Sequence, residues 1–229
     1  MLLALSAKKR CGKDTVADFM EEDGAVKYAL ANPIKRFLFQ ALLQHRLHRD
    51  ILWESVNGDN DYNREQDLRL KNREAVHILN YMLHLASTEV MISEDTFQKA
   101  KRIINEFINY DSFWSVRKLM QYFGTDVMVT VDKMYWMRYM TSAYLDCIEQ
   151  NKIMVVTDVR QEHELLALRE FGAKIIFVTR LNTDIEEDNH ITERGLQPLI
   201  GTDRFIHNDG TLDELRFNAR TTIKYLKDL

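Results

Sequence analysis

The sequence predicts an α/β fold, a parallel sheet of about five strands flanked by helices, with one helical insert. Three observations carry this expectation. Short, continuously apolar runs alternate with stretches whose apolar residues recur three and four positions apart, the pattern of strands buried on both faces and joined by helical crossovers. The first of those runs leads directly into a basic, glycine-containing turn and then a helix. The most unusual polar residues follow strand candidates, at the carboxyl edge where open sheets of this kind bind ligands.

In chain order, Leu2-Leu3-Ala4-Leu5 is a buried-strand candidate, and Val16, Phe19 and Met20 then fall on one helical face. Residues 26–30 form a second short strand candidate, and Pro33 suits the first turn of the helix that follows. From about 50 to 112 the chain is polar and helix-rich. Val76, Leu79, Met82 and Leu83 mark one helix, and Phe97, Ala100, Ile103, Ile104 and Phe107 mark another. A loop at Asn57-Gly58-Asp59-Asn60-Asp61 precedes them. No linker composition bounds this stretch and strands resume after it, so it reads as an insert within a single domain spanning 1–229. Helices are expected near 115–123 and 133–150. The run 153–157 is the next strand, followed by a helix through Glu170 and, after Gly172, the strand "KIIFVT". A polar segment at about 181–202 has the length and polarity of a lid, with Arg180 just before it and Arg194 within it. Residues 204–206 form the last strand. The turn Asn208-Asp209-Gly210 then leads into an amphipathic C-terminal helix.

Composition narrows the function classes. The 229 residues are 45% apolar and 29% charged, with a formal net charge of −4. Such a balance offers no general electrostatic grip on a nucleic-acid polymer, whereas a mononucleotide needs only a few local cations. Two cysteines make no disulfide framework and no C-x-x-C metal pattern. The seven histidines show no H-E-x-x-H pattern. The apolar opening is too short for a signal peptide, and no apolar run approaches the roughly 20 residues of a membrane span. A cytoplasmic protein is the resulting expectation.

The stretch "LSAKKRCGKDTVADF" (5–19) resembles a phosphate-binding loop. Such loops work because backbone N–H groups at a helix N-terminus bind anions while a lysine reaches the outer phosphates. Gly12, Lys13 and the strand–turn–helix context are present. Ala7 stands where the first glycine belongs and Asp14 where a Ser or Thr belongs, but the hydroxyl of Thr15 follows at once. Asp14 holds Mg²⁺ through water or caps the helix; as a first-turn carboxylate it also suits the helix dipole. Cys11, within the loop, is expected to label faster than Cys147 if the loop polarises it.

Three further groups stand out. In "WSVRKLMQYFGTD" (114–126), Arg117 and Gln121 share one helical face, an arrangement that by itself also describes a solvated face. In "DKMYWMRYM" (132–140), Tyr135, Trp136 and Tyr139 form an aromatic stripe, which on spacing alone reads as core. In "VVTDVRQEHE" (155–164), Asp158 ends an apolar strand as a Walker B carboxylate does, with Arg160, Gln161 and Glu164 at the start of the next helix.

Taken in order, "SAKKRCGKDTVADF", "VKYALANPIK", "WSVRKLMQYFGTD", "DKMYW", "DVRQEHE", "HITERGL" and "NDGTLDEL" resemble the deoxynucleoside monophosphate kinases of T-even-type bacteriophages over nearly the whole chain. The G-K-D-T form of the loop belongs to that family's pattern, while Ala7 departs from it, and the stretch 50–111 matches least. The resemblance implies a P-loop kinase that passes the γ-phosphoryl of ATP to a deoxynucleoside monophosphate, with Mg²⁺, as a homodimer in the cytoplasm of the host. It implies that Arg10, Gly12, Lys13, Asp14 and Thr15 bind ATP, with Asp14 and Thr15 near the metal. Arg117, Gln121, Gly124, Trp136, Asp158, Arg160, Gln161 and Glu164 would line the monophosphate and transfer site, and Lys13, Arg160 and Asp158 would be catalytic. Asp158 is left two readings, Mg²⁺ through water or orientation of Arg160 or the sugar. Tyr135 or Trp136 is a candidate wall against a 2′-hydroxyl. Two other classes fit the residues: another small-molecule P-loop kinase of the dephospho-coenzyme A kinase kind, and a non-catalytic nucleotide-binding interaction protein.

Overall fold

The structure, a computed structural model, describes residues 1–8, 10–45, 51–106, 113–181 and 196–227. The strands are β1 (Leu2–Ala7), β2 (Val26–Tyr28), β3 (Met154–Val156), β4 (Lys174–Thr179) and β5 (Arg204–His207). They form one five-stranded sheet in the order β2-β3-β1-β4-β5, and every pairing is parallel. The helices are α1 (Lys13–Glu22), α2 (Asn32–His45), α3 (Trp53–Asn57), α4 (Asn72–Glu89), α5 (Glu94–Glu106), α6 (Val116–Gln121), α7 (Tyr135–Glu149), α8 (Glu162–Glu170) and α9 (Leu212–Lys227). A π-helical segment, Tyr122–Val129, continues directly from α6. The expected α/β sheet with flanking helices is therefore what the chain forms. No helix among the described residues is long and apolar enough to cross a membrane.

The chain divides into two compact units, Met1–Leu30 with Met140–Leu229, and Ala31–Tyr139. The first holds the sheet. β1 is central, so both its faces must be covered, and Leu2 to Ser6 are all buried. Strand alternation puts Leu3 and Leu5 on one face. There they join Val155, Ile176 and Val178 in a core completed by Val16 and Met20 of α1 and by Leu215, Ala219 and Ile223 of α9. Burying each large apolar side chain contributes roughly 1.5–3 kcal/mol of transfer free energy. The end of the segment expected as a lid is anchored here. Buried Asp203 accepts from the Leu199 N–H at 2.7 Å and pairs with Arg169 at 2.6 Å. Most of that lid, residues 182–195 with Arg194, lies outside the described residues.

The second unit is helical and contains the described part of the stretch read as an insert. Its core gathers Phe37 and Leu38 of α2, Ile78, Leu79 and Met82 of α4, Trp114, Leu119, Phe123, Tyr135 and Trp136. Several buried aromatic polar tips have partners: Trp114 Nε1 donates to Asn72 Oδ1 at 2.9 Å, Tyr122 OH to Ile103 O at 3.1 Å and Tyr135 OH to Ala86 O at 2.6 Å. The helix expected over 115–123 is corrected here. Its α-helical part ends at Gln121, and the chain stays wound to Val129 through the wider π turn, because Val127, Met128 and Val129 remain buried. Gly124 permits this packing: a Cβ there would lie 2.6 Å from Ile34 Cδ1 of α2.

Candidate functional site

The turn after β1 carries two residues with positive φ. Arg10 (φ 67°) and Gly12 (φ 86°) are both left-handed, and left-handed residues within a turn are what a backbone nest is made from. Arg10 bears the strain of a non-glycine residue in that region. Ala7, the departure from the usual glycine, is the last residue of β1, paired in register with Val178 and without positive φ. A methyl group is therefore tolerated at that position. Gly12 caps α1, and its carbonyl accepts the Val16 N–H at 3.1 Å. A Cβ at Gly12 would meet Asn208 Nδ2 at 2.3 Å. That amide donates to Cys11 O at 3.0 Å, and the Asn208 N–H is held by Thr179 O at 2.8 Å. Asn208, at the turn between β5 and α9, thus braces the loop from behind.

The Cys11 side chain is buried in the core cluster with Val16 and Leu215. Burial of this thiol restricts a reagent's access and works against the expected fast labelling. Cys147 is buried as well, and burial raises its pKa.

Lys13 opens α1 with its side chain only 16% exposed. Its ammonium donates to Asp14 Oδ1 at 2.8 Å and to the backbone carbonyl of Thr157, at the end of β3. The loop and the neighbouring strand end therefore converge on this cation. Asp14 is exposed, and Thr15 beside it is half-buried.

Beyond β3, Thr157 N–H donates to Tyr28 O at 2.9 Å, and Asp158 Oδ1 accepts the Leu30 N–H at 2.6 Å. These two bonds tie the ends of β2 and β3 together. Arg160 is exposed. Gln161 is the N-cap of α8, and Glu164 completes a capping box with it. One carboxylate oxygen, Glu164 Oε2, accepts both the Arg160 N–H (2.9 Å) and the Gln161 N–H (3.0 Å). Glu164 is buried, and burial pushes its pKa up to about 7; the Arg160 N–H opposes the rise and the Asp158 charge adds to it.

A pH dependence follows. Glu164 binds its proton more tightly in the folded protein than in the unfolded chain, so its contribution to stability is complete below about pH 4.5 and is lost as pH rises through about 7. Chemical denaturation from pH 5 to 8.5 should show wild type falling relative to Glu164→Gln, by a few kcal/mol at most. Parallel profiles would show that Glu164 stays ionised throughout.

The remaining sequence-derived residues lie in the unit Ala31–Tyr139. Ser115 Oγ accepts the Lys118 N–H at 3.1 Å and caps α6. Arg117 follows in the first turn, its N–H on Arg64 O at 3.0 Å and its Nε 2.7 Å from Glu65 Oε1. Gln121 is the last residue of α6, half-buried and four positions on. Trp136 is buried and donates its indole N–H to Gly124 O at 2.9 Å, so these two residues act on one another. Tyr135 is fully buried. Sequence reasoning assigned nothing to Asn208 or Glu65. Asn208 stood in a string read as a turn and matched to the family with no role for the residue itself, and Glu65 in the stretch to which nothing was carried over.

Residues 1–218 match the family model described as deoxynucleotide monophosphate kinase. A protein of that name from Enterobacteria phage T4 is 37% identical over 244 residues, covering 98% of this chain and 99% of the relative. Another of the same name, from Escherichia phage RB69, is 34% identical over 241 residues, covering 93% and 96%.

Proposed function

Because the chain belongs to the deoxynucleotide monophosphate kinase family, we propose that it transfers the γ-phosphoryl group of ATP to deoxynucleoside monophosphates, giving the diphosphates. The observation that carries this reading is Lys13, held between a nest-forming loop and the Thr157–Asp158 strand end. Phosphoryl transfer asks for in-line positioning and neutralised charge, with little covalent work for the protein. Arg10, Gly12, Lys13, Asp14 and Thr15 are assigned to the triphosphate. The Lys13 ammonium moves from Thr157 O and Asp14 to the outer phosphates. Arg160 supplies the second cation at the transferring group, and its backbone is held in place by Glu164. Arg117 clamps the phosphate of the acceptor. Gln121, Gly124, Trp136, Gln161 and Glu164 shape the acceptor side, with Trp136, Gly124 and Glu164 acting through the bonds described above. Asp158 is read as an orienting carboxylate, because its Oδ1 already holds the Leu30 N–H.

The oxygen donors at the start of α1 fit Mg²⁺, which prefers carboxylate, hydroxyl and water ligands alongside substrate phosphates. The exposed Asp14 carboxylate and the adjacent Thr15 hydroxyl would hold it through water. When bound with ATP, the ion neutralises charge on the β- and γ-phosphates.

The test is a coupled ADP-release assay over the common ribo- and deoxynucleoside monophosphates, with dephospho-coenzyme A alongside. Turnover with deoxynucleoside monophosphates is expected. Turnover with dephospho-coenzyme A alone, or ATP binding without turnover, would replace the proposal by one of the other two classes. Deoxynucleotides are expected to be preferred over ribonucleotides. That expectation rests on the family, since Tyr135 and Trp136 lie in the core and are not argued as a wall against the 2′-hydroxyl. Equal kcat/KM for dGMP and GMP would sink the preference and leave the kinase reading standing. The homodimer and the setting in the host cytoplasm belong to the same proposal, and sedimentation velocity reads the first.

A further inference from the structure

We propose that Glu65 is the internal counter-ion of Arg117, that the acceptor's phosphate must displace it to bind, and that Glu65 thereby sets the KM for the monophosphate. This rests on the reading of Arg117 as the clamp on that phosphate. The two side chains meet through Arg117 Nε and Glu65 Oε1 at 2.7 Å, and they are unequally placed. Arg117 is 25% exposed and stands in the first turn of α6, its N–H pinned by Arg64 O and the turn capped by buried Ser115. Glu65 is 62% exposed. Its backbone is fixed by an Asx turn, in which the Glu65 N–H donates to Asn63 Oδ1 at 3.0 Å and the Gln66 N–H to Asn63 O at 2.9 Å. The arginine is therefore the anchored partner, and the glutamate is the one whose side chain can rotate into water.

The exchange is chemically matched. A guanidinium offers carboxylate and phosphate the same planar fork of donors. A phosphomonoester carries close to two negative charges at neutral pH, so it replaces a single charge on Arg117 with a stronger one. A partly exposed pair of this kind is weak, so its loss costs the incoming nucleotide only a small factor in affinity. When the nucleotide leaves, the Glu65 carboxylate returns to the guanidinium.

The experiment is steady-state kinetics with dGMP and ATP both varied, together with calorimetric titration of dGMP, on wild type, Glu65→Gln, Arg117→Ala and the double variant. Glu65→Gln should lower the dGMP KM and Kd about two- to fivefold, with kcat and the ATP KM unchanged. In the Arg117→Ala background the same substitution should have no effect, because the competitor then has nothing to guard. Thermal denaturation of each variant checks folding, which an exposed side chain should not disturb. If Arg117→Ala raises the dGMP KM while Glu65→Gln also raises it or leaves it unchanged, displacement is wrong and the assignment of Arg117 survives. If Arg117→Ala leaves the dGMP KM unchanged, the clamp reading fails and the displacement proposal falls with it.

Discussion

Lys13→Ala should lower kcat by about two to three orders of magnitude or more, which is what one preorganised donor aimed at developing phosphoryl charge is worth. The fold should not suffer. The Lys13 ammonium meets an exposed neighbouring carboxylate and a strand-end carbonyl, and neither contact belongs to the core. Single-turnover rates at saturating substrates, with a denaturation curve beside them, separate the two effects. A folded Lys13→Ala protein that turns over like wild type would end the phosphate-loop reading. A variant that fails to fold would mean that the contact with Thr157 matters more for the sheet than for the phosphate.

The second large effect concerns two arginines that should fail differently. Arg160 stands next to the Asp158 strand end, exposed and held by its backbone to Glu164. Its charge is assigned to the group in flight, so Arg160→Ala should lose about three orders of magnitude in kcat, as loss of an arginine finger does. Arg160→Lys should recover little, because a point charge does not replace a planar two-pronged donor. Arg117 is assigned to a phosphate that is charged before and during transfer. Uniform binding of that kind appears in KM, while binding made only in the transition state appears in kcat. Arg117→Ala should therefore raise the KM for the monophosphate and leave that for ATP nearly alone. Kinetics on the three variants, with both substrates varied, decide it. If Arg160→Ala raises only the ATP KM, the roles of the two cations must be redrawn.

The sheet was legible because its signal is local. A strand buried on both faces has to be continuously apolar, so "KIIFVT" coincides with β4; β5, at the sheet's edge and buried only at Ile206, is matched by 204–206 except for its last residue. The turn before α1 was legible for the same reason, since glycine and lysine sit between one strand and one helix. The winding beyond Phe123 was not. Gly124 lies just past the expected end of α6, and the burial of Val127 to Val129, with Ile34 close against Gly124, keeps the segment helical. The contacts that brace the site were hidden in another way. Asn208 and Cys11 lie 197 positions apart, and no periodicity in a sequence encodes an amide meeting a carbonyl at that remove. The pairing of Glu65 with Arg117 is equally invisible, because a glutamate in a polar stretch looks the same whether it faces water or a cation.

The central place of β1 also bears on how the chain must be made. Both neighbours of β1, the strands beginning at Met154 and Lys174, come far later in the sequence. At ribosomal speeds of about 5–20 residues per second, this strand and the loop behind it wait on the order of ten seconds for a partner. Pairing over such separations also folds slowly, because loop closure precedes its reward. Until Asn208 has emerged, the nascent loop lacks the amide that braces it. If the loop is the ATP site proposed above, ATP should gain its grip on the nascent chain only after Asn208 has emerged and the sheet has closed around β1.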